Sequence, residues 1–392
     1  MSSMVVIGLM SGTSIDAIDA AAGRFSVAGD CLVLETLGFL EVPWPEGTRR
    51  RLLDALPPAP VAMAEVCALD VLAGEAFAGA AAVALRELCG GVADLVASHG
   101  QTVFHWVEGG RARGSLQIGQ PAIIAEAVGL PVISQFRARD IAAGGQGAPL
   151  ASTLDALWLA GDGGARAALN LGGIANITVV GEPGAPVLAY DTGPASCLLD
   201  LEAGRLSNGR LACDVDGRMA LAGTVRGDLL ERLLAEPYYA APAPKSTGRE
   251  LFDRHYTSRH LAGLPGVSDV DLMATLAELT ARTVAAACRA HGVVEVVASG
   301  GGTRNPALMA ALGRALGGIS LTTSGARGLP EDAKEAYLFA LLGWLSWHGL
   351  AGTVAGATGA PPRVLGQITP GMGALRLPEP CGRPLRLLIN PA

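Results

Sequence analysis

The first residues that could do chemistry form a glycine turn near the start of the chain, Gly8 to Asp16, with the sequence GLMSGTSID. Its hydroxyl groups, on Ser11, Thr13 and Ser14, stand beside backbone N–H groups, and such a loop can bind phosphate oxygens without a helix terminus. Asp16 could hold a phosphate-bound Mg²⁺ through water. An ordinary hairpin turn, closed by Asp16 as an Asx-turn, explains the same residues.

A second glycine turn lies in the segment NLGGIANIT, residues 170–178. Here Asn170, Asn176 and Thr178 replace the hydroxyl groups of the first turn. Each turn stands between two apolar runs, which is the layout of a β-hairpin. Two hairpins of this kind indicate an architectural duplication, and two such lobes facing each other would form a cleft that grips a nucleotide from both sides.

A carboxylate that could act as a general base is Asp191. It ends the apolar run 187–190 and precedes Thr192-Gly193-Pro194. A carboxylate at the mouth of a cleft can take a proton from a nucleophile. The same residue types also suit an Asx-turn, or the N-cap of a helix that starts near Ala195, so the residues alone leave both interpretations open.

Polar or glycine-rich segments follow two further predicted strands. Residues 98–102 (SHGQT) come after a short apolar strand, and open α/β sheets bind ligands beyond the carboxyl ends of their strands. Residues 299–306 (SGGGTRNP) join a strand to a helix, and the three glycines would let a flat ring or a sugar approach the backbone. Lys245-Ser246 resembles the end of a Walker A motif, but no glycine lies at the required upstream spacing, so a P-loop is rejected.

These segments need an α/β framework to position them. The predicted strands are 4–7, 17–25, 31–37, 94–97, 131–134, 187–190, 293–298 and 319–323, with two more inside 167–180. The predicted helices are 48–56, 121–128, 218–222, 229–236, 271–291, 306–316 and 331–348, together with 62–89 as one helix or two. We place a lobe boundary near residue 130, which gives an N-terminal lobe of residues 1–130 and a C-terminal lobe of residues 131–392.

Composition narrows the class of protein. A chain of 392 residues is longer than the chains that usually fold around a single hydrophobic core, so two domains are expected. The formal net charge of -7 argues against nucleic-acid binding, since the only basic clusters, Arg49-Arg50-Arg51 and Arg111/Arg113, are expected at the solvated surface. No signal peptide is predicted, and the most apolar run, 76–85, is shorter than the roughly 20 residues that span a bilayer. Seven cysteines without CxxC pairs indicate reduced thiols in the cytosol.

A series of segments together resembles the anhydro-N-acetylmuramic acid kinases of the actin/sugar-kinase/Hsp70 superfamily. The segments are GLMSGTSIDAIDAA (8–21), SHGQTVFH (98–105), QIGQPAIIAE (117–126), FRARDIAAGGQGAPL (136–150), NLGGIANIT (170–178), DTGP (191–194), PKSTGRELF (244–252), SGGGTRNP (299–306) and LPEDAKEA (329–336). Their number and order make the resemblance specific, and it extends over essentially the whole chain.

The resemblance implies an α/β fold with two lobes of duplicated RNase H-like (actin-like ATPase) topology, each a mixed sheet flanked by helices, with a C-terminal segment that can pack back on the N-terminal lobe. It implies a cytoplasmic enzyme of peptidoglycan recycling. With ATP and Mg²⁺, the enzyme would phosphorylate O6 of 1,6-anhydro-N-acetylmuramic acid while water opens the anhydro ring. The partners would be this sugar and ATP, with no nucleic acid and no membrane, and a homodimer stays open.

The resemblance also implies the site. Asp191 would activate the water, and an arginine near the sugar could hold its lactyl carboxylate. The residues implied for ATP are Gly12, Thr13, Ser14, Ile15, Asp16, Ala17, Ile18, Asp19, Gly172 and Gly173 around the phosphates and Gly300, Gly301, Gly302 and Asn305 beside the adenosine. Those implied for the sugar are His99, Gln101, Arg137, Asp140 and Glu335. The alternatives are a buried core histidine for His99, and a surface partner of Lys334 or a solvated charge for Glu335.

Three positions depart from the family pattern as we read it. Ala195-Ser196 stands where Gly-Asn is usual, Gln135 replaces an aspartate, and Ala17 stands where glycine is common. None of these changes touches Asp191, but the first two could alter the sugar that is preferred. A kinase for another amino sugar or an ordinary sugar hydroxyl, and a non-catalytic sugar or nucleotide sensor, are therefore the competing interpretations.

Overall fold

The computed structural model describes residues 3–161, 163–248, 250–379 and 381–391. The chain divides into two compact units, Met1–Trp158 with Gly328–Ala392, and Leu159–Arg327. This division differs from the predicted boundary at residue 130, because a strand just beyond that residue, Val132–Ser134, belongs to the sheet of the first unit.

The elements alternate along the chain as expected for an α/β protein. The strands are β1 (Met4–Ser11), β2 (Ala17–Ala28), β3 (Cys31–Pro43), β4 (Leu95–Glu108), β5 (Arg111–Ile118), β6 (Val132–Ser134), β7 (Ala165–Leu171), β8 (Ile174–Val180), β9 (Leu188–Pro194), β10 (Val293–Ser299), β11 (Ser320–Thr323), β12 (Gln367–Thr369) and β13 (Arg386–Pro391). The helices are α1 (Glu46–Asp54), α2 (Met63–Glu87), α3 (Pro121–Val128), α4 (Ala138–Ala142), α5 (Ala151–Leu159), α6 (Ser196–Leu206), α7 (Arg218–Ala222), α8 (Gly227–Leu234), α9 (Pro237–Ala240), α10 (Tyr256–Leu261), α11 (Asp269–Ala290), α12 (Pro306–Leu316) and α13 (Lys334–Trp347).

Both sheets share one strand order. In the first unit β1, β2 and β3 form an antiparallel meander, β4 pairs parallel with β1, and β6 pairs parallel with β4. In the second unit β7, β8 and β9 form the meander, β10 pairs parallel with β7, and β11 pairs parallel with β10. The orders β3-β2-β1-β4-β6 and β9-β8-β7-β10-β11 are therefore the same RNase H-like arrangement, which confirms the duplication and the actin-like ATPase class of fold.

The first sheet is completed by strands that return from the C-terminus. β12 pairs antiparallel with β6, β13 pairs parallel with β3, and β5 pairs with β4. Helix α2 packs against β1, β2 and β4, with Leu69, Ala73 and Phe77 buried. Its length of 25 residues, and a mean hydropathy of 1.7 over an 18-residue stretch, would also suit a membrane span. The helix is thus longer than the apolar run 76–85 from which the sequence predicted that no segment spans a bilayer. Because one face of α2 is buried against the sheet, we interpret α2 as a core helix of the first unit.

The core of the second unit lies between its sheet and the helices α11 and α12. Ala281, Val284 and Cys288 of α11 are buried with Leu169 and Ile177 of the sheet. A separate apolar cluster joins α6, α8 and α10 to the first half of α11. The rigid element in this unit is therefore the β7–β8–β9 meander backed by α11, and it carries the aspartate singled out above.

Candidate active site

The first glycine turn connects β1 and β2 as predicted, and it is held by a strained residue and an arginine. Ile15 has a φ of 54°, unusual for a β-branched residue, and its N–H donates to the Gly12 carbonyl at 3.1 Å. Arg49 Nε donates to the Ile15 carbonyl at 2.7 Å, and its Nη2 lies 3.1 Å from Oδ1 of Asp16. Strain of this kind is often stored at functional sites.

The residues of this turn divide into buried anchors and exposed donors. Ser11 is 1% exposed, and its hydroxyl donates to the Ala17 carbonyl while accepting from the Trp44 indole. The expectation that Ser11 is free to donate to a phosphate is therefore wrong. Thr13 and Ser14 are exposed, so they keep their hydroxyl groups and amides available for an anion.

The two glycines of the turn serve different purposes. A Cβ on Gly12 would meet only Ser14 Oγ, at 3.9 Å, so the space beside Gly12 is open. A Cβ on Gly8 would collide with the backbone of α13 at Ala336 and Ala340. Gly8 is thus needed for close packing, and its φ is not positive, so no left-handed conformation requires a glycine there.

Asp19 lies on β2 among other carboxylates. Burial, then the charges of Glu41, Glu335 and Asp332, raises its pKa from 3.8 to about 7. An acid crowded in this way favours either a proton or a cation beside it. Asp16, by contrast, is exposed and paired with Arg49 through one of its oxygens.

The predicted sugar residues of the first unit form a connected set around His99 and Arg137. Arg137 Nε donates to His99 Nε2 at 3.0 Å, and Arg137 Nη1 donates to the Gly147 carbonyl at 2.6 Å. His99 is 3% exposed, and burial together with the Arg137 charge lowers its pKa well below the usual value. His99 is therefore neutral. The third nitrogen of the Arg137 guanidinium, Nη2, has no hydrogen-bond partner within the described ranges.

Gln101 and Asp140 are used by the protein itself. Gln101, fully buried on β4, donates from Nε2 to the Gly12 carbonyl at 3.2 Å. Asp140, also fully buried, accepts from Gly147 N–H at 2.8 Å and from the Thr358 hydroxyl at 2.6 Å. Gln101 thus connects the first glycine turn to the sheet, and Asp140 connects α4 to Gly147 and Thr358.

Glu335 opens α13 and is exposed, although dense protein around it raises its pKa and outweighs the charges of Arg137 and Lys334. Lys334 points elsewhere, since its Nζ lies 2.8 Å from Oδ1 of Asp155, and both side chains are less than 10% exposed. The interpretation of Glu335 as the ion-pair partner of Lys334 is therefore not supported. Glu335 makes no hydrogen bond to another described residue.

In the second unit the two glycine segments lie against each other. A Cβ on Gly300 would lie 2.6 Å from Asn170 Oδ1, and a Cβ on Gly302 would lie 2.7 Å from Leu171 Cβ. The Gly172 and Gly173 carbonyls accept from Ser196 and Cys197 N–H at 3.0 and 3.1 Å, so this turn also caps α6.

Asn305 follows the Gly300–Gly302 segment and is the N-cap of α12. Its Oδ1 accepts from Ala307 and Leu308 N–H at 3.0 and 3.2 Å. The second turn, the 300–302 segment and Asn305 thus form one glycine-lined surface at the ends of the parallel strands β7 and β10.

Asp191 lies inside β9, which continues to Pro194, rather than at the end of a strand as predicted. Oδ2 of Asp191 accepts from the Ser246 hydroxyl and from Thr247 N–H, each at 3.0 Å. Oδ1 has no hydrogen-bond partner among the described residues. Burial and the charge of Glu250 raise the pKa of Asp191, while the two hydrogen bonds act in the opposite direction.

Ser246 and Thr247 contact Asp191, and the sequence does not predict these contacts. The segment PKSTGRELF belongs to the resemblance, but its residues Lys245-Ser246 indicate only a phosphate motif, which the spacing rejects. Lys245 Nζ in fact donates to the carbonyls of Tyr238 and Tyr239 at 2.8 and 2.9 Å, which agrees with the rejection of a P-loop.

Comparison with known proteins identifies one family by sequence. A profile of the anhydro-N-acetylmuramic acid kinase family matches residues 4–371. A relative of that name from Streptomyces avermitilis is 59% identical over 99% of this chain and 100% of its own length. Another from Streptomyces coelicolor is 56% identical over 98% of each chain, and one from Gloeobacter violaceus is 41% identical over 94% of this chain and 100% of its own.

Proposed function

The chain belongs to the anhydro-N-acetylmuramic acid kinase family, and we propose on this basis how its residues carry out the reaction. ATP and 1,6-anhydro-N-acetylmuramic acid react with water. Water adds to the anomeric carbon, the bond from that carbon to O6 breaks, and O6 takes the γ-phosphoryl group. The products are N-acetylmuramic acid 6-phosphate, ADP and one proton, and we assign the step to peptidoglycan recycling in the cytoplasm.

Asp191 is the general base. The observation that carries this role is the asymmetry of its carboxylate, in which Oδ2 is bonded twice and Oδ1 is left without a partner among the described residues. Oδ1 takes a proton from the water as the water attacks the anomeric carbon. Because burial raises the pKa of Asp191, its ionised form is a stronger base than an ordinary aspartate.

The phosphates of ATP bind at the turn Gly12–Asp19. The exposed hydroxyl groups of Thr13 and Ser14, and the open space beside Gly12, support this role. Phosphoryl transfer depends mainly on positioning and on neutralisation of charge. Gly172 and Gly173 would contact the phosphates from the second turn, and Gly300, Gly301, Gly302 and Asn305 would line the adenosine.

The donor chemistry of the first unit fits Mg²⁺. Asp16 would hold the ion through water, and Asp19, whose pKa is raised by burial and then by like-charged neighbours, would gain from a cation nearby. No group of three or more candidate metal ligands occurs among the described residues, which suits an ion bound mainly by phosphate and water. When bound, Mg²⁺ neutralises charge on the transferring phosphate.

The sugar binds near Arg137. Its Nη2 is available, so the guanidinium can bind the lactyl carboxylate, while His99 and Gly147 fix the plane of the group. Glu335, which has no hydrogen-bond partner among the described residues, would accept from a sugar hydroxyl. We assign Gln101 and Asp140 to supporting the site, because Nε2 of Gln101 and the carboxylate of Asp140 already bond to the protein.

A coupled assay of ADP release with the anhydro-sugar, ATP and Mg²⁺ tests the proposal, with mass spectrometry to identify the 6-phosphate. Asp191→Asn should reduce turnover by at least roughly 10³-fold and leave ATP binding nearly unchanged. The exposed Asp30→Asn is the matched control. Absence of sugar-dependent ADP in the wild-type protein would contradict the function, and sugar-induced thermal stabilisation without turnover would indicate a sensor instead.

A further inference from the structure

We propose that Ser246 is a positioning residue that selects Oδ1 of Asp191 as the proton acceptor. The inference rests on the proposed function and deepens it, because it adds a residue whose only contact with the reaction is through the base. Ser246 belongs to a segment, 238–247, that we call the strap.

The strap holds Asp191 at several atoms. The Tyr238 hydroxyl donates to the Asp191 carbonyl at 2.7 Å, and Asp191 N–H donates to the Lys245 carbonyl at 3.1 Å. Ser246 Oγ and Thr247 N–H add the two bonds to Oδ2. Since β9 is the last strand of its sheet, these contacts replace the neighbouring strand that would otherwise fix the aspartate.

The strap is itself closed by Lys245. Its Nζ donates to the carbonyls of Tyr238 and Tyr239 and lies 4.7 Å from the centre of the Tyr238 ring. The two ends of the strap are thus tied together, so that Ser246 is presented to Asp191 by a locally ordered segment.

This geometry gives the two oxygens of Asp191 different roles. Oδ2 receives two donors, so its lone pairs in those directions are occupied and the carboxylate cannot rotate freely. Oδ1 remains open to the water, and the proton that the water loses passes to Oδ1 and then to solvent. Without Ser246 only Thr247 N–H would hold Oδ2, and the carboxylate could turn about its bond to Cβ.

The same bond affects ionisation. A hydrogen bond to a carboxylate stabilises the charged form, so the Ser246 hydroxyl keeps the pKa of Asp191 lower than burial alone would set it. The charge of Glu250 raises the pKa of Asp191, and burial together with the Asp191 charge raises the pKa of Tyr238. Lys245 supplies the only cation of the strap, and it is held at the carbonyl groups.

Ser246→Ala is a clean probe, because Ser246 is exposed and the change opens no cavity. We expect the acid limb of the kcat profile to move to higher pH, because Asp191 loses a donor to its ionised form. At the plateau, kcat should fall on the order of 10-fold through the looser base, with KM for ATP and for the sugar unchanged. Ser246→Thr retains the hydroxyl, so it should restore both the position of the acid limb and the plateau value of kcat.

The matched control is Ser258→Ala, since among the described residues the Ser258 hydroxyl, on α10, bonds only to the carbonyl of the N-cap residue His255. It should leave the pH profile unchanged. A Ser246→Ala enzyme with the wild-type profile and turnover would overturn the inference, while an active wild type and an inactive Asp191→Asn would still support the proposed function. An active Asp191→Asn would instead refute the role of the base itself.

Discussion

Arg137 donates from Nε to Nε2 of His99 at 3.0 Å, and the other ring nitrogen of His99, Nδ1, lies 2.9 Å from the Gly100 carbonyl. A guanidinium only donates, so Nε2 must carry a lone pair and Nδ1 the proton. His99 is consequently a neutral acceptor that aims the arginine, and its depressed pKa agrees with this assignment.

His99→Ala should therefore weaken sugar binding through Arg137. We expect KM for the anhydro-sugar to rise on the order of 10- to 100-fold, with a smaller effect on kcat, by analogy with other residues that orient a binding group. His99→Gln, whose amide oxygen can accept from Nε, should recover part of the affinity. His105→Ala, at an exposed histidine, is the control. If His99→Ala lowers kcat by a larger factor than it raises KM, the positioning role is contradicted.

Gly8 and Gly12 should respond differently to one methyl group. Gly8→Ala would drive a Cβ into the backbone of α13, so we expect a large fall in the melting temperature or failure to fold. Gly12→Ala has room for its methyl group, so it should fold normally and bind ATP more weakly where the phosphates need that space. Thermal melting and nucleotide titration of the two variants separate the effects, and equal melting temperatures would refute the distinction.

Asp19 should make stability depend on pH. Its pKa is about 7 in the folded protein and near 3.8 when unfolded, so the folded state binds more protons between these values. The free energy of unfolding therefore falls as pH rises from about 4 to 7. Asp19→Asn should lose this slope and exceed the wild type at pH 8 by on the order of 1–2 kcal/mol, allowing for partial exposure.

Denaturant unfolding of the wild type and of Asp19→Asn at pH 5 and at pH 8 measures the effect. Asp30→Asn, at an exposed turn, should keep the wild-type slope. Parallel pH profiles for the wild type and Asp19→Asn would show that the acidic neighbours of Asp19 do not perturb it.

The ion pair of Lys334 and Asp155 should be costly to break. Both side chains are nearly buried, so Lys334→Met leaves a buried carboxylate and should cost about 3–5 kcal/mol of unfolding free energy. The double variant Lys334→Met/Asp155→Leu should recover most of this loss. Arg50→Met removes only an exposed pair with Glu46 and should change stability by less than about 0.5 kcal/mol. A single Lys334 variant as stable as the double one would contradict this account.

The hairpins and most helices were predictable because their apolar periods and turn residues are local. The prediction that a strand ends before the polar residues 98–102 was wrong. Strand β4 continues through them, and Ser98, His99 and Gln101 are buried inside the sheet. Two of them have partners distant in sequence, the Gly12 carbonyl for Gln101 and Arg137 for His99, which no local pattern reveals.

The parts of the site that escaped prediction depend on contacts distant in sequence. Ser246 bonds to Asp191, which lies 55 residues earlier in the sequence, and Lys334 pairs with the still more distant Asp155. The strands β5 and β13 were also missed, because β5 is mostly polar and β13 is a short segment near the C-terminus that pairs with β3. Such pairings are decided by the assembled sheet and not by the segment.

The backbone bond from Asp191 N–H to the Lys245 carbonyl has a further consequence for solubility. Exposed strand margins can recruit strands of other chains and seed aggregation. Because this N–H is bonded to the strap, it cannot pair with a strand of another molecule. A chain that lost the strap contact would therefore be prone to self-association as well as impaired in turnover.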